Sequence, residues 1–528
     1  MSSQPAPSPA DTLGTAERRR LMVVFGALML AMLIAALDQT IVATALPTIV
    51  GDLGGLTQLS WVVTAYILTS TISTPLYGKL GDLYGRKRIF QGAIVIFLVG
   101  SMLCGLAQNM VELIGLRALQ GIGAGGLMVG SQAIIGDIVS PRERGRYMGY
   151  FGAVFGLATV AGPLLGGFLV DHASWRWVFY INVPIGAAAL VATGLVLHLP
   201  RRRREHRIDY LGAALLGAGV TCIVLLTTWG GTEYPWASAQ TAGLSIGALV
   251  LLGVFILVER RAPEPILPLS LFRNSVFALT NAAGFIIGLA LFGSIVFLPQ
   301  YLQIVKGDGA TNSGLLLVPM MVGLLITSIL SGQLISRTGR YKVWPILGTT
   351  ITIVGLYLLS TMDASTPQVV TAAWMVVLGL GLGAVMQVLV VVVQNAVPQK
   401  DLGTATSTAT FFRSMGGSIG VPIFGAIFSN VLIGHLAKAL PAGFRLGGLS
   451  GGVGNASPQV LDKLPPLIHA GVVHAFAQSL GAVFLAGVPF AVIALVVVCL
   501  IKEVPLRTRT APILEGVDES FGHTELSA

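Results

Sequence analysis

Gly78-Lys79-Leu80-Gly81-Asp82-Leu83-Tyr84-Gly85-Arg86-Lys87-Arg88 decides the fold, because the chain writes it twice. Glycine, leucine, glycine, arginine and a final basic residue return at equal offsets in Gly332-Gln333-Leu334-Ile335-Ser336-Arg337-Thr338-Gly339-Arg340-Tyr341-Lys342. A second pair follows each copy at a similar distance: Val139-Ser140-Pro141 and Val397-Pro398. Two matches at one separation give a repeat of about 255 residues. Both copies are basic and lie between long apolar runs. The two halves therefore have the same orientation, as in transporters built from parallel repeats.

Working outward, the 528 residues are 54% hydrophobic and only 10% charged. Mean hydropathy is +0.82. A soluble chain carries about 25% charge, so much of this surface must face lipid. A spanning helix needs about 20 apolar residues. The runs predict fourteen spans, near 21–47, 58–77, 89–107, 111–136, 147–170, 176–198 and 210–229, then 241–258, 277–303, 313–335, 343–361, 370–396, 404–433 and 478–501. The class is an all-α polytopic membrane protein. A tail at 1–20 precedes an N-terminal six-helix bundle at 21–200. Two linker helices at 201–275, which have no repeat partner, join it to a C-terminal bundle at 276–502. That bundle carries a long outer loop at 434–476, and a tail at 503–528 ends the chain. The run after Arg18, Arg19 and Arg20 is too long for a signal peptide.

Basic residues fix the orientation. With the N-terminus inside, inner segments hold Arg18–Arg20, Lys79, Arg86–Arg88, Arg142, Arg144, Arg146, Arg201–Arg204 and Arg207. Further along they hold Arg260, Arg261, Arg273, Arg337, Arg340, Lys342, Lys400, Lys502, Arg507 and Arg509. The outer side holds only Arg176, Lys306, Lys438, Arg445 and Lys463, while Arg117 and Arg413 fall inside spans. The alternation persists to the C-terminus, which predicts an even span count with both termini cytoplasmic. The net charge of +9 is thus a topology signal, and nucleic acid is not an expected partner. Cys104, Cys222 and Cys499 are far apart in apolar runs. They read as small buried apolar residues, not a disulfide or metal set.

Four motifs carry a family resemblance. The Gly78–Arg88 loop resembles the signature between helices two and three of the major facilitator superfamily. The resemblance implies a cytoplasmic gate at Gly78, Asp82, Gly85, Arg86 and Lys87, made and broken as the halves rock. Asp82 can cap a helix N-terminus or pair with Arg86. In the second copy Ser336 replaces Asp82, which leaves that copy's latch role in doubt. Arg117-Ala118-Leu119-Gln120-Gly121-Ile122-Gly123-Ala124-Gly125-Gly126 resembles the fourth-helix signature, in which the arginine takes part in proton coupling. Gly162-Pro163-Leu164-Leu165-Gly166-Gly167 resembles the antiporter signature, and its small residues admit close helix packing. Leu37-Asp38-Gln39-Thr40-Ile41-Val42-Ala43-Thr44-Ala45-Leu46-Pro47 resembles the first helix of the fourteen-helix drug:proton antiporters, the EmrB/QacA type. Tyr301-Leu302-Gln303, Gly314, Pro319 and Arg413-Ser414-Met415-Gly416-Gly417-Ser418-Ile419-Gly420 are similar to the same branch. The implied fold is two six-helix bundles with two linker helices.

The chemistry centres on Asp38, the acidic residue set deepest in a span. A mid-membrane aspartate costs about 2.5–3.5 kcal/mol on insertion scales, so it should pair or protonate. Burial favours its neutral form and a nearby arginine its ionised form. Arg117 lies about 9 Å into span four at 1.5 Å per residue, a depth like that of Asp38. Coupling of the two for proton transfer is the expectation; a static salt bridge and an arginine that snorkels to water are the alternatives. Arg413 lies deep in span thirteen, where it either attracts an anionic substrate group or holds the C-terminal half in shape. Asp38, Tyr66, Gln303, Gln387 and Arg413 are candidates for the substrate cavity, although the neutral ones also suit helix packing. Glu112, Asp137 and Asp171 sit at span ends and read as solvated edge charges, with Asp137 a possible member of the inner latch. The amphipathic stretch Leu461–Phe476 is expected on the membrane surface. The glycosylation-like Asn455-Ala456-Ser457 carries no weight.

No phosphate-binding loop, clustered nucleophile or metal set is found, so the chain is expected to be neither an ATP-driven pump nor an enzyme, and to need no cofactor or metal. The reading is a secondary transporter that exports lipophilic drugs or antibiotic-like metabolites in exchange for protons. A proton-coupled nutrient symporter is the alternative within the class, and a channel is the alternative outside it. Partners are a small-molecule substrate, protons and the bilayer, with function as a monomer. Arginine outnumbers lysine, which hints at a GC-rich bacterium and its plasma membrane.

Overall fold

The computed structural model describes residues 15–54, 58–197, 209–230, 233–307, 310–439 and 465–506. The predicted segments at 1–14, 201–207 and 507–528, most of the outer loop, and Asn455 lie outside the described residues. The fold is helical. The long helices are α1 Thr15–Leu53, α2 Leu59–Tyr84, α3 Arg86–Leu106, α4 Met110–Ile138, α5 Pro141–His172, α6 Asn182–Val196 and α7 Tyr210–Trp229. They continue as α8 Ala239–Glu259, α9 Ser275–Ile295, α10 Val318–Thr338, α11 Val343–Ser360, α12 Gln368–Ala396, α13 Leu402–Ala439 and α14 Pro466–Leu500.

Local chemistry sets the boundaries. Asn109 caps α4 by accepting from the Glu112 backbone N–H, Asp209 caps α7 through Gly212, and Ser238 caps α8 through Thr241. Gly339 ends α10 at φ 73°, a left-handed turn that favours glycine. Gly85 takes φ 95° between α2 and α3, so the glycine before the shared arginine is a turn residue in both copies of the repeat.

Among the described residues, 12 helices are long and apolar enough to cross a membrane. The expected fourteen spans include two further segments, α2 and α9, that fall outside this set. In α2 the reason is a polar face. Thr69 Oγ1 donates to Ala118 O at 2.8 Å and Ser73 Oγ to Ile122 O at 3.1 Å, stitching α2 onto α4.

Helices α1–α6 pack on one another, as do α9–α14. Where α5 meets α10 and α12, and α2 meets α13, the two groups touch. Helices α7 and α8 pair with each other, and α7 rests beside the α2–α13 seam. There Leu216, Val220 and Val224 share a core with Phe411 and Met415. Lys79 on α2 pairs with Glu264, in the segment after α8, at 2.7 Å.

Four expectations are corrected. The span at 277–303 is not continuous: α9 stops at Ile295, a short turn runs Leu298–Gln300, and Tyr301–Val305 forms a π-helix. Pro299 lacks the N–H that would carry the helix through. The span near 478–501 starts earlier, at Pro466. The end of the predicted outer loop and surface helix is therefore the start of α14, and Val472, Ala475 and Phe476 are buried in the C-terminal core. Finally, Cys499 is exposed and Cys222 half-buried; only Cys104 is buried.

Candidate functional site

Asp38 has no exposed surface, and Arg117 is 1% exposed. Arg117 Nη1 donates to Asp38 Oδ2 at 2.5 Å. The other carboxylate oxygen, Oδ1, accepts from Gln120 Nε2 at 2.8 Å and from Asn182 Nδ2 at 3.0 Å. Gln120 sits one helical turn beyond Arg117 and turns its Oε1 back to Arg117 Nη1 at 2.7 Å. Arg117 Nε donates to Val62 O at 3.3 Å, and its guanidinium lies 4.1 Å from the Tyr66 ring centroid. Tyr66 Oη donates to Ala35 O at 3.2 Å. Asn182 also donates to Ser101 Oγ at 3.0 Å, and Ser101 donates to Phe179 O at 2.8 Å. The arginine does not snorkel. It is the fully desolvated partner of a fully desolvated carboxylate, an arrangement that costs about 3–5 kcal/mol to break from one side.

The segment bearing Asp38 is held from behind by α5. A Cβ at Gly162 would strike Thr40, and one at Gly166 would strike Thr44 and Ile41. Thr40 Oγ1 donates to Ala158 O at 3.0 Å. The small residues of this motif thus seat α1 two residues from Asp38. On the other side, Pro163 packs near Gly314, so the same motif faces both halves. Gly167 is half-buried on α5.

At the basic end, Asp82 Oδ1 accepts from Gly403 N at 3.1 Å, and Oδ2 from Thr404 N at 2.7 Å and Thr404 Oγ1 at 3.0 Å. A carboxylate of the first half caps the N-terminus of α13 in the second, where orphan N–H groups and the helix dipole favour negative charge. Arg86 backs it, 2.7 Å from Asp82 and 3.0 Å from Asp137. Asp137 is therefore an ion-pair member of this latch and not a solvated edge charge. Gly78 has no room for a Cβ against Ser407 and the Gly403 carbonyl. Lys87 takes no part; its Nζ donates to Gly194 O at 2.8 Å, at the end of α6.

The second copy also bridges the halves, contrary to the doubt raised by Ser336. Ser336 Oγ accepts from Arg146 N at 3.2 Å. Arg142 donates to Ser336 O at 3.0 Å and Arg337 O at 2.8 Å, and Gly332 packs on the Gly145 carbonyl.

The remaining candidates do not gather around Asp38. Gln387, 4% exposed, lies on α12 facing Gly152 of α5, with its Oε1 unpartnered among the described residues. Gln303 lies in the π-helix. Arg413 is half-buried on α13, where its backbone packs against Gly288 of α9. Asp38 and Tyr66 are sealed inside the first half instead of lining an open cleft with these residues. The sequence reading missed Gln120, Asn182 and Ser101. Gln120 was readable as the residue one turn beyond Arg117; the others are neutral side chains in apolar runs, which pattern alone does not single out.

A helical bundle that spans a membrane, whose repeated halves meet at paired latches, is a multi-pass transporter and not an enzyme. The chain belongs to the Major Facilitator Superfamily, whose sequence pattern matches residues 28–421. It is 46% identical over 490 residues to an uncharacterized MFS-type transporter of Mycobacterium tuberculosis, covering 92% of this chain and 70% of the relative. It is 42% identical over 420 residues to Multidrug transporter protein MdtP of Bacillus subtilis, covering 80% and 77%. In fold it resembles the crystal structure of the human organic anion transporter MFSD10, with a TM-score of 0.61 at 14% identity over 89% of this chain and 99% of that one.

Proposed function

We propose that this chain exports lipophilic drugs or antibiotic-like metabolites in exchange for protons, as a fourteen-span antiporter of a bacterial plasma membrane. Both termini are cytoplasmic, and the monomer is the working unit. The observation that carries the reading is the buried Asp38–Arg117 pair with its two amides. The pair is cut off from water, so the two charges depend on each other, and removing one leaves the other buried and uncompensated. Proton binding at Asp38 removes the charge that holds Arg117. Proton release restores it. Coupled to rocking of the halves, that exchange drives one cargo outward for protons inward. The latch formed by Asp82 and α13 closes the cytoplasmic side in this conformation, and Arg413 supplies a positive charge on the second half. Relatedness to a multidrug transporter supports the cargo class.

Full burial of the pair also fits a static scaffold role, and the same variant separates the two. Asp38→Asn in everted vesicles should abolish efflux driven by a proton gradient while the protein remains in the membrane. Unchanged gradient-driven efflux would leave the pair as scaffold only. Uptake of cargo together with protons would establish the symporter instead.

A further inference from the structure

The Asp38 site contains one acceptor with nothing to accept. Asn182 Nδ2 serves two partners, Asp38 Oδ1 and Ser101 Oγ. Its own Oδ1 is buried and has no partner among the described residues. Buried polar atoms without partners are rare and costly. With Asp38 ionised the amide cannot turn, because its carbonyl oxygen would then face a carboxylate.

A proton on Asp38 reverses that constraint. The carboxylate takes it from hydronium of the aqueous phase, leaving water and one new O–H bond. That O–H is then a buried donor and needs an acceptor. Oδ2 faces Arg117, which has only donors. Oδ1 faces two amides. Gln120 cannot turn, because its Oε1 already accepts from Arg117 at 2.7 Å, and turning would set an NH2 against a guanidinium. Asn182 gives up less: turning costs it only the neutral donation to Ser101 Oγ, and because its Oδ1 is now idle, either orientation leaves one amide atom unpaired. The geometry points to Asn182 as the positioning residue of proton uptake: it donates to ionised Asp38 and, by a half-turn of its amide, accepts from protonated Asp38 Oδ1. This deepens the proposed antiport and rests on it. Other ionisable groups around Asp38 are Arg117 from α4, Tyr66 from α2 and Cys104 from α3. Residues 155–166 of α5 and the whole of α6 contain none.

The sign of a pH shift tests it. In Asn182→Val the ionised carboxylate keeps Arg117 and Gln120, whereas the protonated form loses its one available acceptor. The pH of half-maximal proton-driven efflux in vesicles should therefore fall, by about one unit for a lost buried hydrogen bond. Asn182→Thr, whose hydroxyl donates or accepts, should keep the profile near that of the unaltered chain. If Asn182 only donates to the anion, its loss penalises the ionised form and the midpoint rises; a rise, or no shift, overturns the inference. Should the valine variant be lost from the membrane, infrared spectra of the unaltered chain decide. The protonated-carboxyl band that disappears in Asp38→Asn should lie at a hydrogen-bonded frequency, and a free-carboxyl frequency overturns the inference. Loss of coupling in Asp38→Asn together with the wrong sign at Asn182 sinks this inference alone. Intact coupling in Asp38→Asn sinks the antiport reading itself.

Discussion

The two latches at the basic end are copies of one design that have diverged in charge. In the first, Asp82 caps α13 through Gly403 and Thr404 and is backed by Arg86, which also pairs with Asp137. In the second, Ser336 takes the place of Asp82: its hydroxyl accepts one neutral bond from Arg146 N, and the exposed Arg142 donates to the Ser336 and Arg337 carbonyls. Both rest on a glycine with no space for a side chain, Gly78 in one and Gly332 in the other. Steric closeness is thus shared and electrostatics are not. One latch has a buried anion at a helix N-terminus, paired with an arginine; the other is close packing with an exposed arginine on two carbonyls and no anion. Charge concentrated on one side of a twofold device makes that side the strong hinge of the closed state.

The largest effect is expected where the charge sits. Asp82→Asn removes the cap's charge and one of Arg86's two carboxylates, a loss of about 3 kcal/mol of closed-state stability for a buried pair broken from one side. Distance distributions between spin labels at the basic ends of α2 and α13 should show the closed population falling roughly a hundredfold relative to the open one. Next come the glycines. Gly78→Val and Gly332→Val should cost about 2 kcal/mol each by overpacking, and nearly equally, because the clash does not depend on charge. A markedly unequal pair would show that closeness is not shared.

Ser336→Asp sharpens the contrast. An anion against the second turn of α5, within reach of Arg142, should stabilise the closed state by about 1 kcal/mol as an exposed ion pair, seen as slower opening between labels on α5 and α10. Ser336→Ala is the smallest change, about 0.5 kcal/mol for one neutral hydrogen bond. If Ser336→Ala matched Asp82→Asn, the asymmetry would be wrong.

Much of this was readable in the chain. A charge inside an apolar run is costly enough to be visible, so Asp38 and Arg117 stood out, and their depths placed them together; the 2.5 Å contact joins the same two residues. The loop repeat likewise pointed to paired inner loops. Neutral partners were not readable. Asn182, Ser101 and Thr404 cost little to place in an apolar run and acquire meaning only from a neighbour up to 322 residues away. Ser336 looked like a lost function because the charge was gone, yet its hydroxyl still bonds a backbone N–H in the second turn of α5. Hydropathy stays high across Pro299, so the pattern does not show the break there, and the first turns of α14 carry His469 and His474, which makes them resemble loop.

The central claim is that Asp38 trades its proton against cargo. Purified protein in weakly buffered detergent solution, mixed with a drug that a susceptibility panel shows it to export, gives the most direct test. Binding should release protons from the unaltered chain in a pH-dependent amount and release none from Asp38→Asn. Cargo binding without proton release, or equal release from both proteins, would contradict the account.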